Sequence, residues 1–436
     1  MKYFDKDRAQ TLAELLAEYA NLQSEYDNRE GASRIYEKAL EELEARIEQL
    51  RTLPPQEQLA AREPDGYEEI LAQRPEGPRR LKCRLDEAQL REKMAGAVLG
   101  RFAACMLGVP VEGWQPSDIQ AMAKQFGDAF PPVDYWSGVY YPERLQYDTC
   151  PRSWYARPNI HCVCVDDDIN YSLVDLMILE QYGFSFTTQD VGEFWKAHLD
   201  VAYTAERAAL DNLKAGVPAQ EAAIHHNPYV QWIGADIRSD GWAWACAGNP
   251  EKAAGLAWRD AWLTHRRNGI YGEMYFAAVQ AAVFETDTIL EALELGLTEI
   301  PAQCTLAQDI RWAISRSPEV RGWEDARKLV DERFAGMNSV HTNNNACLTI
   351  FALLLGKNDF TKTIGEVVAM GMDNDCTAAT AGSILGAYLG KSGIPQHWIQ
   401  NFNNTVLTYM KGIPELKLDD VIDRFTALAL QTRREA

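Results

Sequence analysis

The sequence predicts an all-α fold: a bundle of many short helices around one large core, preceded by a helical hairpin. Three observations carry this reading. Apolar residues recur at 3,4 spacing along most of the chain, β-branched alternating runs are few, and two helical segments carry stripes of Gly and Ala. With 436 residues and 47% apolar content, the chain has material for one large domain or two.

The elements follow in chain order. Leu12, Leu15, Tyr19, Leu22 and Tyr26 mark one helix, and Leu40, Leu43, Ile47 and Leu50 a second. Residues 28–33, with Gly31, separate the two, and Pro54-Pro55 ends the second. This acidic hairpin defines an N-terminal extension over 1–85, ahead of a main domain over 86–436. Its expected role is packing or homo-oligomerisation, with a regulatory or lid role as the alternative.

Further helices are expected at 87–107, 169–182, 188–199, 204–215, 250–265, 273–285, 287–295, 306–316, 323–334, 344–355, 361–370, 376–389 and 418–432. Asn249-Pro250-Glu251 supplies an N-cap, a first-turn proline and an acid that suits the helix dipole. Asp190-Val191 opens 188–199 in a similar way. Long stretches without helical period, 109–165 and 226–249, are rich in Trp and Tyr, and loops of that length are usually functional. Gly96, Gly100, Ala104 and Gly108 recur at fours, as do Gly382, Gly386 and Gly390 after Ala379. Each Gly costs a helix about 1 kcal/mol relative to Ala. Close approach of two backbones is the compensation such stripes allow.

Charge and cysteine usage narrow the function. Lys and Arg total 43 against 63 Asp and Glu, a net charge of −20, which excludes a broad electrostatic grip on a nucleic acid duplex. The start, Met1-Lys2-Tyr3-Phe4-Asp5, has no apolar core of a signal peptide, and no uninterrupted apolar run approaches the roughly 18 residues that span a bilayer. Nine cysteines, scattered mostly among apolar neighbours, fit reduced thiols. A cytoplasmic protein without membrane partners is expected.

The chemistry concentrates in carboxylates at helix starts. Gly371-Met372-Asp373-Asn374-Asp375-Cys376-Thr377 runs into a small-residue helix, and Asp-x-Asp offers hard oxygen ligands. An ordinary helix cap is the alternative. Asp166-Asp167-Asp168 follows the apolar 160–165; a cap needs one of the three, and a cation would offset the repulsion among them. Glu112, between Pro110 and Trp114, is placed for acid/base work if desolvated. His161-Cys162-Val163-Cys164 lacks the second ligand pair of a zinc site and reads as an apolar lead-in.

Together these segments resemble the ADP-ribosylglycohydrolase family. Gly96 to Glu112 matches its Gly-x-x-x-Gly…Leu-Gly-x-Pro-x-Glu element. Asp166-Asp167-Asp168-Ile169 matches its Thr-Asp-Asp-Thr segment, and Gly371 to Gly386 its Gly-x-Asp-x-Asp-Thr helix. Gly248-Asn249-Pro250 and Thr264-His265 resemble its central helices. The resemblance implies an orthogonal multi-helix bundle and a metal-dependent hydrolase that cleaves the glycosidic bond at the anomeric carbon of a ribose. ADP-ribosyl groups are the default substrate, with Glu112, Asp167 and Asp168 catalytic.

It further implies Mg²⁺ or Mn²⁺, two ions in the family pattern, held by Asp166, Asp167, Asp168, Asp373, Asp375 and Cys376. Asp166 and Cys376 stand where the family has Thr, so occupancy of the second site turns on Cys376; a shifted register would pair Asp166 with Asp167. Trp114, His265 and Tyr271 are the expected substrate contacts, and Arg101, Arg238 and Arg266-Arg267 the cations available to a diphosphate. A nucleoside-like N-riboside is the alternative substrate, and a non-catalytic binding protein the alternative class.

Overall fold

The computed structural model describes residue 4 and residues 6–434. Helix makes up 66% and strand 4%. Contacts divide the chain into two compact units, one of residues up to Ala61 with Ala335–Asn338, the other of Arg62–Phe334 with Ser339–Ala436. The division falls earlier than the expected 85/86 boundary, because residues 62–85 are fastened into the larger unit. Asn268 donates to Glu63 at 3.0 Å, Arg74 donates to Glu299 at 2.6 Å, and Ile70 is fully buried.

The first unit contains the expected hairpin, α1 (Lys6–Glu25) and α2 (Arg29–Arg51), then α3 (Glu57–Arg62), which runs to the boundary. Leu12, Leu15, Tyr19, Leu43, Ile47 and Leu50 on its helices are exposed.

In the larger unit, α4 (Tyr67–Gln73), α5 (Glu87–Gly108) and α6 (Pro116–Phe126) come first, then α7 (Asp167–Tyr182), α8 (Thr188–His198) and α9 (Thr204–Lys214). Next are α10 (Ser239–Ala245), α11 (Pro250–Ala261), α12 (Asn268–Val283), α13 (Ile289–Gly296), α14 (Thr305–Arg316) and α15 (Trp323–Arg333). The last are α16 (Thr342–Gly356), α17 (Phe360–Ala369), α18 (Asn374–Leu389) and α19 (Leu418–Arg434). Two antiparallel ribbons complete it: β1 (Leu145–Gln146) with β2 (Cys150–Pro151), and β3 (Thr405–Met410) with β4 (Ile413–Lys417).

Each expected helix has a counterpart. Four short helices, α3, α4, α6 and α10, and both β-ribbons were not foreseen. The caps follow the sequence: Asn249 accepts from the Lys252 N–H, and Thr187 and Asp190 form a reciprocal capping box. All sixteen residues of α12 are buried, which places it at the centre of the core.

The small-residue stripes do one job. A Cβ on Gly96 would overlap the Gly386 carbonyl, and one on Gly100 the Gly382 carbonyl; the reverse substitutions meet the same backbones. Helices α5 and α18 therefore pack backbone to backbone. Glu87–Val111, apolar and long enough by composition to cross a membrane, is buried in the fold through that apolar stretch. At the far end of the contact a Cβ on Gly108 would overlap Asp375, and the Gly113 N–H donates to the Met372 carbonyl at 2.9 Å. Packing of two helices thus brings the Glu112 turn against the Asp373–Asp375 turn.

One cap is pH-sensitive. Buried His341 accepts the Asn343 N–H on Nδ1 at 3.2 Å, and burial lowers its pKa to about 4. The unfolded imidazole takes its proton below about 6.5, the folded one near 4. Its contribution is therefore complete above pH 6.5 and lost as pH falls toward 4, about 3 kcal/mol at the limit. His341→Asn keeps a capping side chain and removes the titration. Thermal midpoints of the two proteins should run parallel above pH 7 and converge or cross between pH 6.5 and 4.5; parallel curves throughout would refute the assignment.

Candidate active site

The candidate site is a cavity of about 420 Å³ where four segments distant in sequence converge. Glu112 comes from the turn after α5, Asp167 and Asp168 from the first turn of α7, and Asp373 and Asp375 from the start of α18. Tyr203, Thr204 and Glu206 come from the start of α9. Loop residues 144–148, Trp232–Gly234, Ile237 and Val340 form much of the remaining wall. Oxygens of Glu112, Asp373 and Asp375 lie within 4.8 Å of one another.

Like charges so close resist ionising together. The charge of Asp375, then burial, holds the Glu112 carboxyl well above the usual range, although the side chain opens onto the cleft. Burial, then Asp168 and Asp167, raises Asp375 to about 8, and burial, then Asp375, raises Asp373. Asp167 is pushed up by burial and partly relieved by the Tyr147 hydroxyl. That hydroxyl also accepts the Asp167 N–H at 3.1 Å. Tyr147 and Asp148 both have positive φ, 51° and 52°, so the loop crosses the cavity in a conformation non-glycine residues rarely adopt. Tyr147 is held there by stacking on Tyr409, centroids 4.8 Å apart.

Two buried arginines brace the wall. Arg101 donates to the Asp168 carbonyl at 2.8 Å, to its carboxylate at 3.3 Å, and to Asp240 at 2.7 Å. Arg238 is bonded to Asp260, donates to Glu206 at 2.5 Å, and lies 3.5 Å from Glu273. Both are fully enclosed, where an unpaired charge would be costly.

The expected site residues separate into two groups. Glu112, Asp167, Asp168, Asp373 and Asp375 meet at the cavity. Asp166, Cys376, Trp114, His265 and Tyr271 do not line it. Asp166 is the α7 N-cap: its carboxylate takes the Asp168 N–H at 3.1 Å and the Cys105 thiol at 3.4 Å, behind the cavity wall. Cys376 is buried, its thiol donating to Asp168 and held protonated by burial and by that carboxylate's charge. Trp114 stacks on Tyr140, centroids 5.6 Å apart. His265 is enclosed against Thr264, 2.6 Å from its hydroxyl, and burial keeps it neutral. The Tyr271 hydroxyl donates to the Pro64 carbonyl at 2.5 Å.

The arginines set aside for a diphosphate are likewise elsewhere. Arg101 and Arg238 are engaged as described, Arg266 lies over Trp262, and Arg267 pairs with Glu63. Of the aromatic residues in the two long irregular stretches, Tyr147 and Trp232 reach the cavity. Sequence reasoning missed Arg144, Tyr147, Tyr203, Glu206 and Gly234. The Asp-x-Asp pattern announces itself, whereas a single Glu in a helical first turn reads as a dipole-matched acid.

The sequence profile of the ADP-ribosylglycohydrolase family matches residues 86–434. No curated protein matches the chain. Among solved structures, an ADP-ribosylglycohydrolase-related protein complex superposes with a TM-score of 0.52 at 20% identity, covering 79% of this chain and 99% of the other, a likeness of fold. With the profile spanning both the α5 and the α18 elements, the chain belongs to the ADP-ribosylglycohydrolase family.

Proposed function

We propose that the protein hydrolyses the glycosidic bond at the anomeric carbon of a ribose with the help of a divalent cation. The observation that carries this is the meeting of Glu112, Asp373 and Asp375 within 4.8 Å, beside Asp167 and Asp168, in one cavity. The donor set fits Mg²⁺ or Mn²⁺: all oxygen, anionic, and short of compensating charge, with Asp375 Oδ1 buried and without a hydrogen-bond partner. Asp167, Asp168, Asp373 and Asp375 would hold the cation. When bound, it supplies Lewis acidity and orients the ribose hydroxyls.

The chain's own groups do the rest. Arg101 fixes Asp168 through both its carbonyl and its carboxylate, so that carboxylate cannot swing away. Tyr147 holds Asp167 from the opposite loop. Glu112, open to the cleft and reluctant to ionise, is suited to carry a proton at the scissile bond and to return it. The surrounding carboxylates favour positive charge developing at C1 of the ribose. Tyr203 and Trp232 offer flat walls to a leaving group. ADP-ribosyl groups are the substrate that family membership suggests.

Ribose or ADP-ribose release, followed with Mg²⁺ present, tests the reading. Glu112→Gln should lower kcat at least about 10²-fold while leaving divalent binding measurable by calorimetry. Unchanged turnover in that variant would refute the acid/base role.

A further inference from the structure

The cavity is acidic for a place that must hold a diphosphate. Its lining carries seven carboxylates and one cation, Arg144, which is exposed. With Asp167, Asp168, Asp373 and Asp375 given to a cation, Glu112 and Asp148 still face that single arginine, and nearby Arg238 is already taken by Glu206 and its neighbours. A diphosphate needs donors and positive charge along several oxygens.

Helix α9 makes the point more sharply. Its N-terminus opens on the cavity at Tyr203 and Thr204, and a helix N-terminus is the usual seat of a phosphate. Here the position is taken by the protein's own anion. The Glu206 carboxylate, in the first turn, accepts its own backbone N–H. Arg238 donates to Oε1 at 2.5 Å, and the Thr204 hydroxyl stands 3.4 Å from Oε2. The group lies flat on Gly234, where any Cβ would overlap both carboxylate oxygens. An incoming phosphate would find the helix terminus already occupied by this carboxyl group. A carboxylate has about four acceptor positions. Three are engaged, which leaves one for a donor entering from the cavity.

Resting on the proposed ribosyl hydrolysis, we infer that the cavity takes ribosides without a phosphate, whose leaving group presents an N–H donor to the Glu206 carboxylate. Water adds across the C1–N bond, hydroxyl to C1 and proton to the departing nitrogen. Glu206 selects the leaving group without entering that exchange.

Four probes with Mg²⁺ present test this: adenosine and cytidine, whose bases carry an amino group, 4-nitrophenyl β-D-riboside, whose leaving group has no N–H, and ADP-ribosyl-arginine. Wild type should cleave the nucleosides with kcat/KM at least about 10²-fold above ADP-ribosyl-arginine. Glu206→Gln should raise the nucleoside KM about tenfold with kcat nearly constant, and leave both constants for the nitrophenyl riboside nearly unchanged. Equal losses on both kinds of riboside would assign Glu206 to bracing Arg238 and overturn the inference. So would cleavage of the nitrophenyl riboside alone. Preference for ADP-ribosyl-arginine would overturn it while ribosyl hydrolysis stood. Inertness toward all four would remove both.

Discussion

Asp375→Asn is expected to lower ribosyl hydrolysis by about 10³-fold or more and to weaken Mg²⁺ or Mn²⁺ binding in parallel. The change is nearly isosteric and removes one charge. Asp375 sits in the first turn of α18, with Oδ1 unpartnered and the oxygens of Glu112 and Asp373 within 4.8 Å. Its backbone is fixed independently, because Gly108 of α5 packs directly on its Cα and nitrogen. The fold should therefore survive while the donor set fails. Loss of a cation that would orient the ribose hydroxyls and supply Lewis acidity removes several kcal/mol from the barrier lowering, which sets the size of the effect. Calorimetric titration with each metal, steady-state kinetics and a circular dichroism spectrum together decide it. Full activity in a variant that no longer binds metal would dismantle the mechanism; full metal binding would remove Asp375 from the ligand set.

How much of this was legible beforehand follows from which signals are local. Helix placement is, since 3,4 periodicity and caps such as Asn249-Pro250 belong to a few adjacent residues. Short α10 was hidden because Trp242 and Trp244 are both buried and leave no polar face to set a period. Asp373 and Asp375 were legible because paired acids at a turn need an explanation. Trp114, His265 and Tyr271 were not placed, since aromatic and imidazole rings serve a core as readily as a ligand. Tyr271 reaches the Pro64 carbonyl, a partner 207 positions away. Arg101 and Arg238 show the same limit: composition gives the charge, and tertiary structure gives Asp168, Asp240 and Asp260 as its partners.

Gly100→Val should abolish stable folding of the larger unit, a loss of about 4 kcal/mol or more that shows as a collapsed thermal midpoint and poor soluble yield. The reason is geometric. Even a Cβ at Gly100 would overlap the Gly382 carbonyl, an obstacle made of helix backbone that cannot rotate aside, and Gly96 and Gly386 repeat the arrangement one turn away. Forcing α5 from α18 also separates Gly108 from Asp375, so residual folded protein should have lost divalent binding. Gly31→Ala in α2 is the matched control: a Cβ there meets nothing within 4 Å, and removing a helical glycine should stabilise its hairpin by up to about 1 kcal/mol. The same loss of glycine thus carries opposite signs, decided by what lies opposite. If Gly100→Val were tolerated with metal binding intact, the glycine stripe would not be what aligns the two carboxylate turns. The alignment would then rest on the Gly113 N–H to Met372 carbonyl bond, at 2.9 Å, which ties the turns together directly.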